Sequence, residues 1–376
     1  HAAVKELLPK LTADNLEMQT QARLDLLAIC SRASAPDAPP DDRQAVCLEI
    51  CDILKDSGQP VVTVVQPLLN NLERIGGEES VPTLVKLLSH RDEHIRDDAR
   101  RALAVNPSVA AGQALAAQLR MRRIRPPRMT AGLIYALGER GEAGASELIA
   151  GYVGSREDEV YIAAVKALGM LNEDDGIRAL AAQRTKVKGF RKLQVDAALF
   201  STGRKVVFEK LYADNETEEI RATALLGLVM NGGINVAAEA MNSGSPALQT
   251  AVVEGALQSG NRQLYDIVAG RIAALPPYLQ LRAVAALEFS GDGTYAKAVE
   301  LLLGSPDILI QDNAAAALAR MGTAKSAAAL IANGRPAARR ALGLLDAAGI
   351  DKALEQEAGP AGDNNRRSVA IEALSI

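Results

Sequence analysis

A leucine returns at a nearly fixed interval through most of this chain, and that regularity constrains the fold more than any other feature. Leu72, Leu103, Leu137, Leu168, Leu199, Leu228, Leu257, Leu287, Leu318, Leu345 and Leu374 follow one another 27 to 34 residues apart. The residue before each is mostly alanine, as at Ala102, Ala136, Ala167, Ala198, Ala256, Ala286, Ala317 and Ala373. The residue four before is small or aliphatic, as at Ala99, Leu133, Ala164, Val195, Ala224, Val253, Ala283, Ala314, Ala341 and Ala370. These offsets put the columns on one helical face. Four residues past the leucine stands Gly76, Pro107, Gly141, Asn172, Gly203, Gly232, Asn261, Gly291, Gly322 or Gly349. Gly and Asn accept the positive φ that ends a helix, so each copy is expected to hold a helix that stops in register.

Between each stop and the next copy runs a second apolar stretch, such as SVPTLVKLLS or GASELIAGYV, and then a polar turn, such as SHRDEH or GSREDE. The unit is therefore helix, turn, helix, turn. A unit this short can bury its faces only against its neighbours. Composition points the same way. The chain is 48% hydrophobic but only 3% aromatic, with no Trp, which suits thin layers of closely approaching helices better than a bulky globular core. The fold class expected is all-α.

These columns resemble the HEAT-repeat family, in its short bacterial form of roughly 30 residues per repeat. An Asp/Glu-to-Arg pairing at the start of the repeat helix adds to the likeness: Asp92 with Arg96, and Glu218 with Arg221. The resemblance covers about residues 43 to 376. It implies a right-handed α-solenoid of about 11–12 two-helix repeats. It also implies a scaffold that holds a partner on its concave face or along an edge. Residues 1–42 read as part of the same array: a helix pair, with apolar spacing through Val4, Leu7, Leu8 and Leu11, then Leu24, Leu27 and Ala28, and a Pro-rich loop, SRASAPDAPPDD, over residues 31–42. The last copy, RRSVAIEALSI, stops just after its leucine. A solenoid should finish with a polar capping repeat. The chain is therefore expected to be one region of a longer protein, with a truncated last repeat, or to dock something at its C-terminus.

Charge placement is the feature that points to a partner. Arg120, Arg122, Arg123, Arg125 and Arg128 form one cluster without an acid, and Arg184, Lys186, Lys188, Arg191 and Lys192 form another. Both occupy the turn that enters a repeat helix, two units apart, so they are expected on one edge roughly 20 Å apart. The unit between them carries Glu157, Asp158 and Glu159 in that slot, and the next one beyond carries Asp214, Glu216, Glu218 and Glu219. One reading is a solvated surface whose alternating signs pair between neighbouring repeats. The other is a docking edge for an acidic protein partner, with Arg forks able to grip carboxylate or phosphate.

The leading function is thus a non-catalytic protein–protein interaction scaffold. One alternative is a HEAT-like protein that binds nucleic acid. The acidic break between the clusters, the net charge of −4 and the scarcity of stacking aromatics oppose it. Another is a bilin-lyase-like HEAT protein, which would need a pigment pocket with a polar catalytic group; no such group stands out. HRDEH at residues 90–94 matches a metalloprotease-like H-x-x-E-H pattern, but it falls in the slot of a polar turn. No G-x-x-x-x-G-K-[ST], G-x-G-x-x-G or G-x-S-x-G occurs in the sequence, and no cofactor is expected. Cys30, Cys47 and Cys51 are expected as small buried core residues. A disulfide from Cys30 to one of the other two is the alternative if the chain is exported. No stretch is long and apolar enough to span a membrane, and the compartment, cytoplasmic or exported to a periplasm, is left open.

Overall fold

The computed structural model describes residues 3–39, 41–56, 62–121, 126–213, 217–345, 348–359 and 364–374. The chain divides into two compact units, His1–Thr202 and Gly203–Ile376. Among the described residues all regular structure is helical.

The first unit contains α1 (Leu8–Leu11), α2 (Leu16–Ala33), α3 (Asp42–Asp56), α4 (Val62–Ile75), α5 (Val81–Leu87), α6 (Glu93–Val105), α7 (Val109–Arg120), α8 (Pro127–Glu139), α9 (Ala145–Ala150), α10 (Asp158–Leu171), α11 (Asp174–Arg184) and α12 (Gly189–Ser201). The second contains α13 (Lys205–Ala213), α14 (Glu218–Met230), α15 (Ile234–Asn242), α16 (Pro246–Ser259), α17 (Arg262–Ala269), α18 (Pro277–Phe289), α19 (Ala296–Glu300), α20 (Ile308–Met321), α21 (Ser326–Asn333), α22 (Pro336–Leu344), α23 (Ile350–Ala358) and α24 (Asn364–Leu374). From α4 on, the even-numbered helices carry the leucine column, with Leu345 just past the end of α22, and pack in sequence: α4 on α6, α8, α10 and α12 in one unit, α14 on α16, α18, α20, α22 and α24 in the other. The odd-numbered helices form a second layer, as in the run α5, α7, α9, α11 and the run α19, α21, α23. Within each unit the helices thus form the two-layered, all-α arrangement of a solenoid, with HEAT-like repeats.

The column explains the stacking. Its leucines are buried from Leu72 to Leu345, except Leu257, which is half-buried; Leu374 is exposed. Small residues beside them allow close approach. A Cβ on Gly138 would lie 2.8 Å from both Cα and Cβ of Ala167, and one on Gly169 would lie 2.9 Å from the Ala198 carbonyl oxygen. Hydrogen bonds one repeat long then fix the register. The Tyr152 hydroxyl donates to the Leu119 carbonyl at 3.2 Å, Asn172 Nδ2 to the Thr202 carbonyl at 2.9 Å, and Asn333 Nδ2 to the Leu303 carbonyl at 2.9 Å. Arg140 reaches the carbonyls of Leu103 and Ala104 at 3.0 and 3.1 Å and that of Ser108 at 2.9 Å. It thereby satisfies the carbonyls at and beyond the end of α6 that the helix itself leaves open.

Three expectations change in detail. Most repeat helices end as expected, with Asn172 at φ +54° and Gly141 at φ +62°. Gly76 and Gly322 are needed for a different reason: a Cβ there would sit 2.4 or 2.3 Å from the carbonyl oxygen of the column leucine. At Asn261 the left-handed residue is the preceding Gly260, and Asn261 instead caps α17. In α2 the buried row is Ala22, Leu26, Cys30 and Ala33, while Leu24 is 54% exposed. Apolar residues lie on more than one side of that helix, and packing chooses the row that faces α3 and α4. Finally, Asp92 and Arg96 at the start of α6 serve the backbone rather than each other. Asp92 caps α6 by accepting from the His94 N–H at 2.8 Å, and Arg96 donates to the carbonyls of His90 and Arg91 at 2.8 and 2.9 Å. Arg221 donates to the Tyr212 carbonyl and lies 5.2 Å from the centre of that ring.

Candidate functional site

The two basic clusters both fall where a second-layer helix hands over to a repeat helix. Arg120 closes α7 and Arg128 lies in the first turn of α8. Arg122, Arg123 and Arg125 lie outside the described residues. Arg184 closes α11, Lys186 and Lys188 lie in the connecting turn, and Arg191 and Lys192 lie in the first turn of α12.

Two members are absorbed by the fold. Arg184 is only 8% exposed, and its Nε lies 2.5 Å from Oδ1 of the buried Asp196. Expected as part of an outward edge, it instead ties α11 to α12, because a buried guanidinium needs a carboxylate. Arg191 clamps the preceding repeat. Its Nη2 lies 2.6 Å from Oδ1 of Asp158, and it donates to the carbonyls of Ser155 and Arg156 at 2.9 and 3.0 Å. Its guanidinium sits 4.5 Å from the centre of the Tyr161 ring, and the Tyr161 hydroxyl donates to the Arg191 carbonyl at 2.8 Å. Charge, fork and ring face are used together. Here the alternating signs of neighbouring repeats do pair.

The remaining charge faces outward. Arg120, Arg128, Lys186 and Lys188 are exposed, and the side chain of none has a hydrogen bond or ion pair among the described residues. Lys192 is half-buried. Beside them stand two side chains that sequence reasoning missed, Phe190 and Leu193, 58% and 62% exposed. Three residues apart on α12, they share a face. The signal for them was positional. Counting back nine from the column leucine, unit-one copies carry His94, Arg128 and Glu159 where this one carries Phe190. Exposed Glu157 and Glu159 border the patch on the α10 side.

The other candidates resolve differently. His90 sits in a turn, where its Nδ1 accepts from the Asp92 N–H at 3.1 Å, and His94 opens α6. A shallow hollow of only about 30 Å³ lies beside His94, lined also by Arg96, Asp97, Arg128 and Met129. Cys30, Cys47 and Cys51 are buried thiols. Burial pushes Cys30 up to about 12. Cys47 and Cys51 share a hydrogen bond that holds the first well up and the second down.

No protein-family model matches the chain, and no curated protein matches it. Solved structures that it is similar to include an engineered protein at 19% identity, covering 99% of this chain and 98% of that one, with a TM-score of 0.35. They include the complex of CpcE and CpcF of phycocyanin lyase from Nostoc, at 18% identity, covering 61% of this chain and 87% of that one, with a TM-score of 0.34. They also include the karyopherin Kap121p bound to Nup53p, at 9% identity with a TM-score of 0.49. That match covers 99% of this chain but 52% of the karyopherin, so this chain spans about half its length. No described helix is long and apolar enough to cross a membrane.

Proposed function

We propose that this chain is a non-catalytic scaffold that binds another protein along the edge formed by the starts of α8 and α12. The contacted part of the partner is acidic. One observation carries the reading: Lys186, Lys188 and Arg128 are exposed and unmatched among the described residues, while Arg184 and Arg191, close by in sequence, are matched by Asp196 and Asp158. A fold that neutralises some cations of a cluster and leaves others facing water keeps a field available for steering and register. Arg120, and the cluster members Arg122, Arg123 and Arg125, extend the proposal along the same edge.

The test is affinity capture from native extract with two baits, the chain itself and the triple variant Arg128→Glu, Lys186→Glu, Lys188→Glu. The reading expects a protein retained by the first and lost by the second. A protein held equally by both would move the docking site to the exposed helix faces. Retention only of nuclease-sensitive material would replace the reading with nucleic-acid binding.

A further inference from the structure

We infer that Phe190 and Leu193, with Lys186 and Lys188 beside them, form the seat for an acidic peptide segment that carries bulky apolar side chains. The inference rests on the reading of this edge as a partner-binding surface. Its distinct content is the apolar anchor.

The fold does not need an apolar residue at 190. In the same register of the first unit His94, Arg128 and Glu159 open α6, α8 and α10, and all three are exposed; in the second unit Tyr278 and Leu309 hold it and are exposed too. Phe190 is also exposed, so it buries little that its ionisable counterparts do not. Six residues before the column leucine, Asp97, Ala131 and Ile162 are half-buried where Leu193 is largely exposed. Two bulky apolar side chains one turn apart, in water, and in a chain that is only 3% aromatic, mark a surface that something else covers.

The surrounding charge chooses the occupant. Lys186 and Lys188 precede Phe190 on the turn and are exposed. Arg191 is matched by Asp158. Lys192, between the two apolar residues, is half-buried. Exposed Glu157 and Glu159 lie on the α10 side. A segment therefore places its carboxylates over the lysine turn, away from Glu157 and Glu159, and its apolar side chains on Phe190 and Leu193. Desolvated apolar anchors supply affinity, and the rim charges supply register and association rate.

The test selects a random-peptide phage library on the full chain. Enriched peptides are then resynthesised with a fluorescein label and titrated by fluorescence anisotropy. Two variants are compared with the parent, Phe190→Ala/Leu193→Ala and Lys186→Glu/Lys188→Glu; all four positions lie at the surface, and melting curves confirm folding. The proposal expects peptides with acidic and bulky apolar residues together, weakened about tenfold or more by each variant, and further weakened by salt. Acidic peptides lost with the lysine variant but unaffected by the apolar variant would overturn the anchor while leaving the basic edge standing. No enrichment, or peptides indifferent to both variants, would overturn both.

Discussion

Replacing Gly138 with alanine would place a methyl carbon 2.8 Å from both Cα and Cβ of Ala167 on the neighbouring repeat helix. Neither atom belongs to a flexible side chain, and Ala167 is fully buried, so the helices themselves must shift. Overpacking of this kind costs about 1–3 kcal/mol. Alanine recovers about 1 kcal/mol of helix propensity over glycine. With no side-chain movement to relieve the contact, the overpacking should fall in the upper part of that range, about 2–3 kcal/mol, which leaves a net loss of about 1–2 kcal/mol. In a unit of 202 residues that corresponds to a fall of about 2–8 °C in the unfolding midpoint. Gly151 is the control. It has helical φ, and its added Cβ would meet only the Leu148 carbonyl oxygen at 3.5 Å, an ordinary contact. Gly151→Ala should leave the midpoint unchanged or raise it. Scanning calorimetry of both variants decides the matter. If Gly138→Ala is as stable as Gly151→Ala, close helix approach is not what the small-residue column provides.

Other outcomes follow from the same structure. Asp196→Ala removes the carboxylate from a buried guanidinium and should cost about 3–5 kcal/mol, read as the urea midpoint, with Asp196→Ala/Arg184→Leu recovering much of it. The backbone N–H of Gly144, and after it Ser146, hold the Glu173 carboxyl below its ordinary range. A carboxylate lowered in the folded state contributes stability above its unfolded pKa and loses it as pH falls through the folded value. Glu173→Gln should therefore lose less stability than the parent between neutral and acid pH, measured by thermal midpoints across that range. Cys30, Cys47 and Cys51 are buried, so iodoacetamide should modify them only on unfolding, as followed by intact mass. Fast native labelling would contradict that burial.

Much of the architecture was legible because repetition supplies its own alignment. The Leu137–Leu168 interval and the small residues at Ala136 and Ala167 state both period and buried face, since a short helical unit has only its neighbours to pack on. Where a helix has apolar residues on more than one side, as α2 does with Leu24 against Leu26, periodicity alone does not choose the row; the packing partner does. The edge was half legible. Its position followed from the repeat, but the fate of each cation depended on residues elsewhere in the chain. Arg184 is consumed by Asp196, 12 residues on, and Arg191 by Asp158 and Tyr161, one repeat back. The second pairing is the one that the alternating signs of neighbouring repeats suggested, and comparing equivalent first-unit positions would also have set Phe190 apart from His94, Arg128 and Glu159.

The central claim is that the start of α12 is where a partner sits. Hydrogen–deuterium exchange of the chain, with and without the captured partner, tests it most directly. Added protection is expected to concentrate on residues 185–193 and on the start of α8 near Arg128. Protection confined to the second-layer helices, or to the second unit, would contradict it.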